Sequence, residues 1–550
     1  MAGILDFDAS ALDALLARWG IRKTWLSLLA TSFRHRDDLA YILDSPEFAD
    51  FEVLDTDLLN DLSIGEISVL YEYSVAILDP EQRKANGQYF TPDDVAELMA
   101  GYAGRFPEGR WLDPCSGVGN LSWHLTARQT DPEEFLLSRL IVCDKDDLAL
   151  LVARALITAS FQSREPLLFN EIKSNFVVLD FLAVRENSLP FEGAPTDLQE
   201  HIPAHDFVIV NPPYLSTAKD ERFETGAAGD LYAYFLENII KTSVGFVSIT
   251  PQSFTNAKKF RTLRSLLLRH YSNLTILAFD NIPGNIFRGI KFGSKNSNSA
   301  NSMRAAITIA MPGLGQPRIT SLMRWRGNER SRVFTEVERY LSSAPLTDEF
   351  FPKVSAVFQD LYHELDGSRT LGTFCVGGKT EFPLYVPSAP RYFIPALKTP
   401  AARASQKTVY FASEADRDLA YLAINSSLMY WWWRVRDGGM TLSQNTLLSL
   451  PLPEFEVDHE LVRQLEHSEK TNKVYKQNAG AAQENVKHPP ELLARLNALV
   501  APDFAERLLI THENSEFVQA HFLVESDDRV TEATRSKTST NGGVVIGSSG

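Results

Sequence analysis

Between residues 81 and 315 the chain alternates short runs of β-branched and aliphatic residues with longer helical stretches, and this rhythm constrains the fold more than any other feature. The runs fall at 111–112, 140–143, 176–179, 207–210, 246–249, 274–279 and 305–310. Strands that alternate with helices are joined by crossover connections, so the pattern predicts an α/β, mainly parallel, doubly wound sheet of Rossmann-like type. The rest of the chain is organised around it. Residues 1–80 read as helical, with Leu12, Leu15, Leu16 and Trp19 and then Ile64, Ile67, Leu70 and Tyr71 at helical spacing. Residues 316–455 carry prolines, aromatics and short strand-like runs, as expected of a separate mixed α/β domain. Residues 456–525 turn helical and charged, and 526–550 are Ser/Thr/Gly-rich, the composition of a disordered tail. The stretch 293–302 (GSKNSNSANS) reads as a mobile loop between two strands.

At 550 residues the chain is too long for one core. Residues 1–10 have neither a basic nor an apolar region, and there is no apolar run near the ~18 residues of a membrane span, so a cytoplasmic protein with no membrane partner is expected. Three cysteines, Cys115, Cys143 and Cys375, make no disulfide framework and show no metal-ligand spacing, so no metal is expected. The net charge of -16 is unevenly spread: residues 1–80 hold 15 acids against 5 basic residues. By contrast, 254–271 carries Lys258, Lys259, Arg261, Arg264 and Arg269 with no acid. Such a run is most simply a solvated helix face, but it also suits contact with phosphates.

Three strand ends carry the chemistry. After 111–112 come Asp113-Pro114-Cys115-Ser116-Gly117-Val118-Gly119-Asn120 and the start of a helix. Glycines there let the backbone approach a ligand, and the helix N-terminus offers free N–H groups. Alone this is a weak signal, shared by dinucleotide sites and tight turns. The next strand ends in Asp144, suited to ribose hydroxyls, and the third in Asp180-Phe181, suited to an adenine ring. Singly, each aspartate reads equally well as a cap or turn residue. Together, and without the G-x-G-x-x-G spacing, they favour S-adenosylmethionine over a dinucleotide. The fourth strand runs into Asn211-Pro212-Pro213-Tyr214. Two prolines stiffen any strand exit. Here they also set the Asn211 side-chain oxygen and the Pro212 carbonyl as acceptors for an amino group, with Tyr214 as a π-face for the planar group that bears it. Rate then comes from positioning the amine against the methyl donor.

These residues resemble the γ-type adenine-N6 DNA methyltransferases of restriction–modification systems, over about 64–315 and more faintly beyond. The lead-in 64–92, with Gln88-Tyr89-Phe90-Thr91-Pro92, is similar to the family's first cofactor motif. The resemblance implies cofactor contacts from Tyr89, Phe90 and Thr91 (methionine carboxylate), Asp113 (amino group), Pro114, Ser116, Gly117, Gly119, Asn120, Asp144 and Lys145 (ribose), Asp180 and Phe181 (adenine), and Asn211. Asp230-Leu231-Tyr232-Ala233-Tyr234-Phe235 matches a helix that borders the cofactor. Phe287 matches the ring stacked on the flipped base opposite Tyr214, with Phe279 and Phe292 as alternatives and a plain core role as the bland reading. Lys258, Lys259, Arg261 and Arg264 are the candidates for the DNA backbone. In the later chain, 421–433 and 450–453 resemble the family's specificity domains, although three consecutive tryptophans, Trp431 to Trp433, also fit a helix packed on a sheet. The implied activity is transfer of a methyl group from S-adenosylmethionine to adenine N6 in double-stranded DNA, with a cognate endonuclease or defence-system subunit as a possible partner. The same tetrapeptide chemistry serves protein-glutamine and RNA methyltransferases, and a DNA-recognition subunit with a silent core is the non-enzymatic rival.

Overall fold

The computed structural model describes residues 7, 9–78, 91–183, 202–281, 284–287, 291–292, 295–296, 303–326, 329–390, 393–437, 441–478 and 481–512. The chain forms two compact units, one of residues 1–317 with 347–350, the other of 318–346 with 351–550.

Seven strands of the first unit match the seven aliphatic runs: β1 (Trp111–Asp113), β2 (Leu140–Asp144), β3 (Phe176–Val178), β4 (Phe207–Val210), β5 (Gly245–Pro251), β6 (Asn273–Phe279) and β7 (Ala305–Met311). Their spatial order is β6-β7-β5-β4-β1-β2-β3. β1 pairs in parallel with both β2 (Leu112 opposite Ile141) and β4 (Leu112 opposite Val208), so chain order reverses there. β3 and β5 extend the parallel sheet on either side, and only β7 runs antiparallel, between β5 and β6. β1, β2 and β4 are buried along their whole length, which is why they read as continuous apolar runs rather than alternating ones. Helices α1 (Ala9–Phe33), α2 (Ile64–Leu78), α3 (Asp93–Ala103), α4 (Asn120–Ala127), α5 (Pro132–Ser138), α6 (Asp147–Phe161), α7 (Leu231–Thr242) and α8 (Arg261–His270) accompany the sheet.

The acidic residues 1–80 share a core with the sheet's own helices. Trp25, Leu29 and Leu70 pack in one cluster with Val118, Leu148, Val152 and Phe169. Trp25 meets the Tyr71 ring at 5.1 Å, and Tyr71 Oη donates to Asp146 Oδ2 at 2.8 Å, which fixes α2 over the β2–α6 turn. The stretch 293–302 lies outside the described residues except for Lys295–Asn296, which pair with Lys291–Phe292. Also outside are Tyr89, Phe90, 513–525 and the whole of the 526–550 tail.

In the second unit β8 (Cys375–Val376), β9 (Phe382–Pro387) and β10 (Gln406–Phe411) form an antiparallel sheet with β10 central. Around it lie α9 (Glu414–Asn425), α10 (Ser427–Arg436), α11 (His459–Thr471), α12 (Pro490–Val500) and α13 (Ala505–His512). All three tryptophans of α10 are buried, with Phe358 against Trp431 and Tyr362 stacked on Trp432, so the packed-helix reading accounts for them. One element departs from expectation. Within the stretch read as helical, β11 (Lys473–Asn478) and β12 (Ala481–Val486) pair antiparallel, with Lys473 opposite Val486. Among the described residues no helix is long and apolar enough to cross a membrane, and no cluster of potential metal ligands occurs.

Candidate functional site

The site forms where the sheet reverses order, at the carboxyl ends of β1, β2 and β4, the position at which open α/β sheets take ligands. A cavity of about 310 Å³ opens there. Its floor is the turn from Pro114 to Val118 and the first residues of α4. Gly117 (φ 53°) and Gly119 (φ 85°) hold left-handed backbone, but for different reasons. A Cβ on Gly117 would meet nothing within 4 Å, so its conformation is what requires glycine. A Cβ on Gly119 would stand 3.0 Å from Ala153 Cβ, so that glycine also lets the turn close on α6.

Asp144 anchors the turn: its Oδ2 accepts from Gly117 N–H at 2.8 Å and its Oδ1 from Asp146 N–H at 3.0 Å. Burial raises its carboxyl above the usual range. Asp113 lies deeper, fully buried, with Oδ2 accepting from Ser122 Oγ at 2.8 Å. Its Oδ1 has no partner among the described residues, and burial pushes its carboxyl up to about 7. It stands behind the cavity wall rather than in it. Asn120 has the same incompleteness, with Oδ1 buried and unpartnered while Nδ2 donates to the Thr91 carbonyl at 2.7 Å.

The Asn211-Pro212-Pro213 exit from β4 forms the opposite wall. Asn211 Nδ2 donates to Thr91 Oγ1 at 2.8 Å, and Cys115 Sγ donates to the Asn211 carbonyl at 3.3 Å. Thr91 thus joins the helix that follows the Gly turn to the Asn211–Tyr214 tetrapeptide. Exposed Asp180 accepts from Leu182 N–H at 3.0 Å, and buried Phe181 stacks on Phe235 of α7 at 5.3 Å; both line the cavity, as does exposed Lys145. Ser68, Tyr71 and Glu72 of α2, and Asp146, complete the walls. Nothing in the sequence marked these four. Asp146 signals only an N-cap, which it is, accepting from Leu148 and Ala149, and the α2 residues read as one face of an amphipathic helix.

Tyr214 lies beyond the cavity, 7% exposed, with Oη donating to the Ile249 carbonyl at 2.8 Å. Phe287 is buried directly against it, ring centroids 6.1 Å apart at 63°. A base sandwiched between two rings needs them parallel and about 7 Å apart, so here Phe287 acts as a packing partner of Tyr214. The basic run is likewise sorted by burial. Lys258, Lys259 and Arg261 are exposed; Lys259 pairs with Asp230, and Arg261 with Asp348 and Glu349. Arg264 corrects the expectation of a phosphate contact: it is 1% exposed, and its guanidinium donates to the carbonyls of Phe254, Ala257, Asp348 and Glu349.

Comparison with known proteins gives two family matches, residues 63–131 to the N-6 DNA Methylase and residues 139–287 to the Eco57I restriction-modification methylase. The Type II methyltransferase M.PstI of Providencia stuartii is 25% identical over 238 residues, covering 39% of this chain and 42% of that protein. Similar solved structures include a DrdV–DNA complex (14% identity, TM-score 0.42, 70% of this chain and 45% of that one). Another is a putative class I S-adenosylmethionine-dependent methyltransferase from Listeria monocytogenes (14% identity, TM-score 0.36, 61% and 96%). The chain therefore spans less than half the length of the M.PstI and DrdV chains it matches.

Proposed function

We propose, from the matches over residues 63–131 and 139–287, that the chain is a restriction–modification N6 DNA methylase and that it transfers a methyl group from S-adenosylmethionine to N6 of an adenine turned out of double-stranded DNA. The observation that carries this reading is the Asn211 side chain. With its NH2 donated to Thr91 Oγ1, the amide is fixed with Oδ1 as its accepting end, the polarity that an amino group requires.

The residues present suit the cofactor. Unpartnered, buried Asn120 Oδ1 at the cavity wall provides an acceptor for a ligand ammonium, with the Asp113 carboxyl set behind that wall, and the Gly117 turn leaves open space where a Cβ would stand. Asp144 keeps accepting capacity for ribose hydroxyls beyond its two backbone bonds. Asp180 and Phe181 serve the adenine end, and Lys145 borders the rim. When bound, S-adenosylmethionine supplies a methyl group on a positively charged sulfur. Asn211 Oδ1 and the Pro212 carbonyl then accept from the two N6–H groups of the base. That would leave the N6 lone pair turned toward a donor held in the cavity, whose methyl group would pass from sulfur to nitrogen while N6 gives up a proton to water. No acid, base or metal is needed, because positioning supplies the rate. Tyr214 stacks on the base, and a place for it between Tyr214 and Phe287 requires those rings to part. Lys258, and Lys259 and Arg261 on release from their carboxylates, contact phosphate. The second unit reads the surrounding sequence in the grooves, and a cognate endonuclease or defence subunit is the expected partner.

Asn211→Ala tests the assignment. Transfer to DNA should fall by at least ~10³-fold, as for loss of a principal positioning group, while the calorimetric Kd for S-adenosylmethionine changes little. Normal turnover in this variant would refute the role.

A further inference from the structure

A second polar group lies at the same edge of the sheet, past Tyr214. β5 ends at Pro251 and β6 at Phe279, and β7 starts between them at Ala305. Gln252 follows β5 and its N–H donates to the Arg304 carbonyl at 2.9 Å. Asp280 and Asn281 follow β6, and Arg304 Nε donates to Asp280 Oδ1 at 2.8 Å. These four residues therefore stand side by side at the ends of adjoining strands. β5 is the neighbour of β4, which delivers Asn211, and Tyr214 is tied to it at Ile249, three residues before Gln252.

Arg304 and Asp280 neutralise one another. The two amides have no such explanation. Gln252 is 3% and Asn281 5% exposed, Gln252 Oε1 and Asn281 Oδ1 have no hydrogen-bond partner, and neither side chain bonds any described residue. Behind Gln252 on the same face of β5, the hydroxyls of Ser248 and Thr250 are also unpartnered. A buried amide without partners opposes folding, and leucine would fill the same volume without that cost. Two such amides at one sheet edge, beside a proposed base-binding tyrosine, are what a polar planar ligand would satisfy.

We propose that Gln252 and Asn281 read the ring edge of the flipped base, an inference that rests on the adenine-N6 reading above. With the amino group turned to Asn211 and Pro212, adenine offers N1 beside it as an acceptor. An amide NH2 donates to N1 there, whereas guanine and thymine carry an N–H at the equivalent position. The amide oxygens face the adjoining C2–H edge. Gln252 and Asn281 are thus specificity-determining residues, distinct from the methyl-transfer group.

The experiment uses the full chain, tritiated S-adenosylmethionine and bacterial genomic DNA from a methylation-free strain, with Gln252→Leu, Asn281→Leu and the isosteric Gln252→Glu. A loss of about tenfold or more in kcat/KM for DNA, with the cofactor Kd unchanged and the melting temperature of the DNA-free protein unchanged or raised, supports the inference. Gln252→Glu decides matters if the leucine variants misfold: folded and slow supports it, folded and at the wild-type rate overturns it. Leucine variants that methylate as the wild type does also overturn it. Wild-type protein that labels no adenine in DNA removes the reading beneath it, a failure visible without any variant.

Discussion

Thr91 bridges parts of the chain 29 and 120 residues apart in sequence, its carbonyl taking Asn120 Nδ2 and its hydroxyl taking Asn211 Nδ2. Thr91→Val keeps the carbonyl bond and the volume but removes the hydroxyl, so Asn211 is free to turn its amide. Loss of that bond, worth about 1 kcal/mol, should lower kcat about fivefold with the cofactor Kd nearly unchanged; single-turnover kinetics would show it, and an unchanged rate would show that the bond does not orient Asn211. The importance of Thr91 was legible in its motif, but the bond that explains it was not, because no spacing rule links side chains 120 residues apart. Arg264 teaches the converse. It was read with Lys258 and Arg261 as one basic patch, yet it belongs to the buried face of α8 with Leu263 and Leu267. A charge count is blind to helical phase. The hydrophobic residues on either side held the information.

At the scale of elements, the strands were the most legible part because burial on both faces writes them as unbroken apolar runs. The direction of β7 was not, since antiparallel insertion leaves the same run of apolar letters. The pairing of β11 and β12 was hidden for another reason: burial alternates along Gln483 to Val486, but one of the two buried positions is Glu484, so no run of apolar letters marks the period. The Gly turn was readable as a motif, whereas the separate demands on its two glycines came only from the packing of α6. Gly119→Ala would place a side chain at positive φ and 3.0 Å from Ala153. It should destabilise the chain by about 2 kcal/mol and weaken cofactor binding with it, measurable together as a lower melting temperature and a raised Kd. A melting temperature equal to wild type would contradict the packing role.

For the whole molecule, composition separated the acidic N-terminus from the sheet, but the two share a core because apolar residues of α1 and α2 bury against Val118, Leu148, Val152 and Phe169. In the second unit, buried polar contacts do comparable work. His488 lies within hydrogen-bond distance of Ser468 Oγ (2.9 Å) and Asn425 Oδ1 (3.1 Å), and burial pushes its imidazole down to about 4. A histidine held neutral in the fold contributes stability above its unfolded value near 6.5, and this is lost as pH falls toward 4. The loss amounts to about 3 kcal/mol, so denaturant midpoints should drop over that window. His488→Gln should flatten this part of the profile, and an unchanged slope would place the acid sensitivity elsewhere.

The central claim is that this fold delivers a methyl group to adenine N6. Its most direct test is to incubate the full chain with S-adenosylmethionine and methylation-free bacterial DNA, digest the DNA to nucleosides and identify the methylated product by mass spectrometry. N6-methyladenosine in its deoxy form, absent from the Asn211→Ala reaction, is the expected result. A product of 4-methylcytosine, or methyl transfer to RNA or protein but not DNA, would contradict it.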